Sequence, residues 1–573
     1  MTRFLWGVVT GILLVGFTLV ILAFAFMRFS LRPPAVADPS TLILRLGEDI
    51  PERAAISVPL PWFEERAAPT ISDIWELLHK AELDTRIKAV IIMPQGVNAG
   101  WGKLDEIHQL LTRVRRAGKL VVAFLRSPSS RDYYLATAAD HIYMPPEDVL
   151  DLKGLRAELI YLRKMLDKFG VQVEVEHAGK YKDFGDMFTR TSMSPETRLV
   201  LNSILDDLYT RLVDTVSAGR KKSPSEVRAI LDEGPFLAKQ AVARGLVDAL
   251  LYEDQMFEEL KKRLPGKQLN KLFLRDYMRV PAVSVGFGGK RKIALLVAEG
   301  YITGGSGDFC QDSAICAGDF TGLLRKVGDD ESLRGVIVRI DSPGGSSFAS
   351  DEIWRAMNLL NKKKPLVISM SDTAASGGYY MAMTGDPIVA YPATLTGSIG
   401  VLYGKINLHG LYDKLGIQKQ VLTRGRFANI DSDYEPLSAP ARAKLREGIE
   451  DNYRAFVERV AKARRKNYEE IEPLAQGRVW LGDQAKNIGL IDELGGLDRA
   501  IELLKHKAGI PAAERVTVVV YPPKISIFEH LFRRYTENFA GRRLLRALFG
   551  EIRAEAWAEG GLMKLMPCAI SVR

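Results

Sequence analysis

Apolar and polar residues along this chain follow two different periods. Short apolar runs, Val90 to Met93, Leu120 to Phe124, Val336 to Ile340 and Leu366 to Met370, predict buried strands, whereas Asp105 to Ala117 and Asp351 to Leu360 carry apolar positions at helical spacing. Strand, turn, helix, strand in that order predicts βαβ units and a mainly parallel sheet, hence an α/β fold. One run differs in kind. Phe4 to Met27 has no charged residue over 24 positions, enough helix to cross a hydrocarbon core of ~30 Å, so residues 1–32 are expected to form an amino-terminal membrane anchor. Ala35-Val36-Ala37 offers the rival reading of a cleaved signal peptide. Against it, the run exceeds the roughly 7–15 apolar residues of such a peptide, and Arg28 and Arg32 intervene. Arg3 on one side balances those two arginines on the other, so charge alone does not orient the anchor.

The same pattern of elements occurs twice. Residues 84–182 align with 330–428 at a constant offset of 246 and without a gap. AVIIMPQGVNAGWGKLDEI, from Ala89, lies over GVIVRIDSPGGSSFASDEI, from Gly335; KLVVAFLRSPSSRDYYLATAADHIYMPP, from Lys119, lies over PLVISMSDTAASGGYYMAMTGDPIVAYP, from Pro365. With small shifts the match runs on, so that AVARGLVDAL, ending at Leu250, parallels AKNIGLIDEL, ending at Leu494. A first domain is therefore expected over 40–252 and a second over 291–505, joined by a linker at 253–290 that runs into the breaker-rich GFGGKRK. The tail, 506–573, begins with a strand-like VTVVVY and continues in basic, partly amphipathic helices, which either pack on the second domain or touch a membrane or partner.

Composition narrows this picture only by exclusion. A chain of 573 residues with 47% hydrophobic and 26% charged residues is of ordinary globular character and too long for one core. Its net charge of +9 comes without a block of five like charges or a nucleic-acid-binding motif, so no nucleic-acid partner is expected. Three cysteines and no C-x-x-C pair predict no structural zinc or thioredoxin-type centre, and no motif calls for a metal or cofactor. Cys310 and Cys316 share a Gly/Ser-rich loop and could pair in an oxidising compartment.

Candidate chemistry sits in the second copy, after two of its strands, where the carboxyl ends of a parallel sheet place active sites. Asp341-Ser342-Pro343-Gly344-Gly345 is a glycine turn able to present main-chain N–H groups to an oxyanion. Ala374-Ala375-Ser376-Gly377-Gly378 leads from a strand end into a helix expected to begin around Tyr379. Gly–Gly turns are common and a serine opening a helix is usually an N-cap, so neither feature alone identifies a catalytic site. The repeat discriminates. The first copy has Asn98-Ala99 in place of Gly344-Gly345 and Ser130-Arg131-Asp132 in place of Ser376-Gly377-Gly378; a purely structural need for the glycines would apply to both copies. None of the seven histidines lies near these turns in sequence, and no G-x-S-x-G elbow occurs. A lysine base must be held neutral, which requires lowering its pKa from ~10.4 to about 7–8, on the order of 4 kcal/mol. Gly179-Lys180-Tyr181-Lys182 lies over Gly425-Arg426-Phe427-Ala428, so Lys180 has a basic counterpart and Lys182 has only an alanine. The bland fate of Lys182 is a solvated surface. The first copy thus keeps a lysine that the second lacks, and the second keeps glycines that the first has lost, as expected if one working site straddles both.

Together with the amino-terminal run and the tandem domains, Asp341-Ser342-Pro343-Gly344-Gly345, Ala374 to Tyr380, Thr396-Gly397-Ser398-Ile399-Gly400 and Lys180-Tyr181-Lys182-Asp183 resemble the long, duplicated form of the signal peptide peptidase A (protease IV) family. The resemblance covers about residues 1–505. It implies tandem Clp/crotonase-like ββα-repeat domains after a transmembrane helix, and a serine endopeptidase with a Ser/Lys dyad. By position it makes Ser376 the nucleophile, Lys182 the general base, Ser398 a hydroxyl that orients the lysine, and Gly345 with Gly377 the oxyanion donors. It further implies remnant signal peptides as substrates, a homotetramer forming a bowl over the membrane, and a bacterial inner-membrane location with periplasmic catalytic domains. Asp341 departs from the family pattern, which usually has asparagine there. Two alternatives from other classes are an inactive membrane peptide-binding scaffold and a crotonase-like acyl-CoA enzyme, since that fold also builds oxyanion holes from glycine turns.

Overall fold

The apolar runs fold as the central strands of two related sheets in a computed structural model that describes residues 34–54, 68–306, 314–523 and 562–566, with residues 6, 10, 11 and 14–18 of the amino-terminal run. The first sheet is parallel throughout, in the order Ala249–Leu250, His141–Met144, Leu120–Phe124, Ile87–Val97, Ser40–Glu48, Asn270–Phe273. The second repeats that order with Glu493–Leu494, Ile388–Ala390, Leu366–Ala375, Leu333–Ser342, Arg291–Glu299 and Val516–Tyr521. To these it adds Leu395–Gly397, parallel to the far end of Leu366–Ala375, and Val479–Leu481, antiparallel to Leu395–Gly397. The expected α/β class and internal repeat are thus present in the chain.

Two segments join the sheets from outside the expected domain bodies. Residues 253–290, read from sequence as a linker, hold the helix Glu253–Arg263 and the edge strand Asn270–Phe273. Val516–Tyr521, just past the second domain's expected end, is the corresponding edge of the second sheet. Each sheet is therefore completed by a strand that follows its own repeat.

A third sheet ties the copies together, in the order Ala314–Cys316, Tyr301–Thr303, Gly344–Ser346, Leu562–Leu565, Val401–Asn407, Gln172–Ala178. Its last pair joins the repeats: Gln172–Ala178 of the first copy runs antiparallel to Val401–Asn407 of the second over seven residue pairs. The apolar interior crosses the same boundary, since Ile337, Val367 and Leu504 cluster with Leu104, Ile107 and Leu111 of the helix Trp101–Arg116. The second copy keeps a separate core on the other face of its sheet, around Ile340, Ile353, Met370 and Phe456.

Most of the expected membrane anchor lies outside the described residues, and among the described residues no helix is long and apolar enough to cross a membrane. Cys316 is disulfide-bonded, while Cys310 and Cys568 lie outside the described residues.

Candidate active site

Lys182 reaches the second copy because the chain just before it is locked there. The pairing of Ala178 with Val401 ends at Gly179, whose φ of 103° and close approach to Gln476 leave no room for a side chain; a Cβ there would lie 2.5 Å from the Gln476 carbonyl carbon. Tyr181 N–H then donates to the Gln476 carbonyl at 2.8 Å. Gly477 closes the turn from the other side, since a Cβ on it would fall 2.6 Å from Lys182 N. Lys180, two residues earlier, stays exposed, as its basic counterpart in the repeat suggested.

Lys182 itself is fully buried, at 0% exposure. Its Nζ lies 2.7 Å from Ser376 Oγ, 2.8 Å from the Ser398 carbonyl and 2.9 Å from Ser398 Oγ. Three of the predicted site residues therefore meet at one amine. Burial holds that amine well below the usual lysine range; Asp183 pulls the other way and Lys564 adds to the lowering.

Ser376 sits between the strand Leu366–Ala375 and the short helix Gly377–Met381. The N-cap alternative fails, because its side chain makes no capping hydrogen bond. Its φ is positive instead, at 54°, as is that of Ser398 at 52°. Such a conformation costs a non-glycine residue about 1–3 kcal/mol and persists only where its surroundings enforce it. Here Ser376 N–H donates to the Gly397 carbonyl at 2.8 Å and Ser398 N–H to the Arg478 carbonyl at 2.7 Å.

The glycine turn closes on the same point. A Cβ on Gly377 would lie 3.1 Å from Gly345 N, and a Cβ on Gly344, where φ is 104°, would lie 2.7 Å from Gly377 N. Gly345 and Gly377 thus bring their main-chain N–H groups beside the Ser376 hydroxyl, where they can stabilise a negative oxygen.

Behind the turn lies a buried ionic cluster that no sequence signal announced. Asp341 accepts from Lys103 Nζ at 2.8 Å and from Thr373 N–H at 3.0 Å. Asp372 accepts from Gly100 N–H and Lys103 N–H at 2.9 and 2.8 Å, so a second-copy carboxylate caps the first-copy helix Trp101–Arg116. Arg339 contacts Glu52 at 3.2 Å and Glu106 at 2.6 Å. Burial pushes the Glu52 carboxyl up, but Arg339 and Lys103 outweigh it and hold that group below the usual range. Asp341, where asparagine is usual, thus serves as an anion paired across the repeat boundary.

The corresponding site of the first copy is filled. Asp132, at the position of Gly378, accepts from Gly96 N–H at 3.2 Å and Val97 N–H at 3.0 Å, the turn equivalent to Ser342-Pro343. Ser130, at the position of Ser376, donates to the Asp151 carbonyl at 3.4 Å. Elsewhere, a cavity of about 910 Å³ lined by His108, Arg113, Arg211, Asp214, Asp483 and Asp498 includes none of the dyad or turn residues. Among the described residues no group of three His, Cys, Asp or Glu side chains could hold a metal ion.

The model of peptidase family S49 matches residues 113–266 and again 358–511. The chain is 36% identical to the chloroplastic serine protease SPPA of Arabidopsis thaliana over 77% of its own length and 66% of that protein. It is 31% identical to Protease 4 of Haemophilus influenzae over 87% of this chain and 84% of that one, and 32% identical to Protease 4 of Salmonella typhi over 76% and 72%. Among solved structures, ClpP1 from Listeria monocytogenes aligns at 16% identity with a TM-score of 0.22, covering 36% of this chain and 92% of that one.

Proposed function

The chain belongs to peptidase family S49 and is a serine peptidase, and from that premise we propose that Ser376 is its nucleophile and Lys182 its general base. The observation that carries the assignment is the 2.7 Å approach of Lys182 Nζ to Ser376 Oγ in a site closed to solvent. A neutral amine has two N–H donors and one lone pair, and Lys182 has three polar neighbours. The Ser398 carbonyl can only accept. Donation to that carbonyl and to Ser398 Oγ leaves the lone pair for the Ser376 O–H.

As Ser376 Oγ bonds to a peptide carbonyl carbon, Lys182 takes its proton, and the N–H groups of Gly345 and Gly377 hold the oxyanion. The ammonium then returns the proton to the departing amine as the peptide bond breaks. Water attacks the acyl-enzyme with the same lysine as base. Ser398 orients the amine throughout.

The substrates are released signal peptides and other hydrophobic peptides. The uncharged run Phe4 to Met27 supports a single-pass anchor in the bacterial inner membrane, with the catalytic domains on the periplasmic side and four chains forming the bowl. Each repeat, a parallel sheet flanked by helices, is a Clp/crotonase-like unit.

A fluorophosphonate probe should label the wild type and leave Ser376→Ala unlabelled. Lys182→Ala should abolish peptide hydrolysis while Lys180→Ala keeps most of it. Equal activity in the two lysine variants would remove Lys182 from the mechanism, and failure of any serine-directed probe to label would favour a peptide-binding scaffold.

A further inference from the structure

The third sheet contains a strand that belongs to neither repeat. Leu562–Leu565, from the end of the chain, lies antiparallel to Gly344–Ser346 on one side and to Val401–Asn407 on the other. Gly344 faces Leu565, Gly345 faces Lys564 and Ser346 faces Met563; Leu402 and Tyr403 face Met563 and Leu562. Met566 N–H extends the ladder by donating to the Pro343 carbonyl at 2.8 Å. The flanking strands are the glycine turn of the site and the strand that leaves Ser398. A peptide held by strand addition would need the same two edges.

The register is that of a substrate. Lys564 stands opposite Gly345, and its carbonyl oxygen is so near the turn that a Cβ on Gly344 would lie 2.0 Å from it and 2.7 Å from Gly377 N. The carbonyl of Lys564 therefore lies on the side of both oxyanion donors. Its side chain, 2% exposed, runs into an aromatic pocket, with the amine 3.4 Å from the centre of the Tyr380 ring and 5.3 Å from that of Phe456. Tyr380 O–H donates to Asp351 at 2.6 Å, which fixes the pocket's floor. Burial pushes the Lys564 amine down to about 7, against the pull of Asp351.

We propose that residues 562–566 occupy the peptide groove of their own active site in substrate register, with Lys564 in the pocket for the residue ahead of the scissile bond, so that peptides must displace this strand to be cleaved. The pocket it fills is built for a long, unbranched side chain on aromatic faces. The proposal rests on the Ser376–Lys182 reading, and its test separates the two.

In the full-length chain, Lys564→Asp places a second carboxylate near Asp351 and should weaken the tail's hold, lowering KM for a fluorogenic peptide by about tenfold if tethering holds the occupant at millimolar effective concentration. A chain ending at Gly561 should show the same fall, and a synthetic peptide of residues 560–566 should inhibit it competitively. In the Ser376→Ala background, a labelled substrate peptide should bind the shortened chain more tightly than the full-length one. Equal affinity in that background, or an unchanged KM in Lys564→Asp, overturns the tail proposal. Residual turnover by Ser376→Ala would instead overturn the dyad.

Discussion

Lys182 is useful only without its proton, and everything around it enforces that state. Its surroundings are two hydroxyls and a carbonyl, and the pull of Asp183 is opposed by the like charge of Lys564. Because its pKa is lowered, the amine gains a proton only as pH falls through that depressed value, and with it loses the lone pair that accepts from Ser376. The expected profile of kcat/KM is therefore a plateau at neutral and mildly alkaline pH, where an ordinary lysine of pKa ~10.4 would still be charged, and an acid limb falling about tenfold per pH unit. A profile that rises only near the ordinary lysine pKa would contradict a buried neutral base. The identity of this residue was legible in the sequence only through the repeat, which set an alanine opposite it. The positive φ angles of Ser376 and Ser398 were not legible, because serine carries no mark of such a backbone as glycine does. Nor was Asp132 in the first copy, whose carboxylate fills the turn that glycines leave open in the second.

Strands with enough apolar residues to be buried on both faces announced themselves, and Leu120–Phe124 begins and ends where its apolar run does. The edge strand Asn270–Phe273, with two polar residues in four, and the tail strand Leu562–Leu565 did not, because each owes its form to the neighbour it pairs with. The charged cluster was hidden for a related reason. Glu52, Glu106 and Arg339 come from three separate segments, and only the packing of the helix Trp101–Arg116 against the second sheet makes them partners. That packing can be probed through Arg339, which is 2% exposed. Arg339→Leu would leave two buried carboxylates without their shared cation, a loss of about 3–5 kcal/mol, read as a lower urea midpoint. Adding Glu52→Gln and Glu106→Gln to the same chain should recover much of it, since the cost lies in the uncompensated charges. If the triple variant were no more stable than Arg339→Leu alone, the cluster would be held together by shape rather than charge.

At the scale of the whole molecule, the two repeats share the work of a single site. The first supplies the base and has its own turn plugged; the second supplies the nucleophile, the glycines and the hydroxyl beside the lysine. Comparing the repeats could predict that division, but not whether the halves of a site come from one chain or from neighbours in an oligomer. The antiparallel pairing of Gln172–Ala178 with Val401–Asn407 answers it for this structure, because Lys182 and Ser376 of a single chain meet at 2.7 Å. Co-expressing a Lys182→Ala chain with a Ser376→Ala chain should therefore restore no activity, even where the two chains assemble together. Each chain would bring one damaged half to its own site, and no site would hold both groups. Were sites shared between neighbouring chains, mixed assemblies would regain a fraction of wild-type turnover, and the repeats would be paired by assembly rather than by the strand that joins them within the chain.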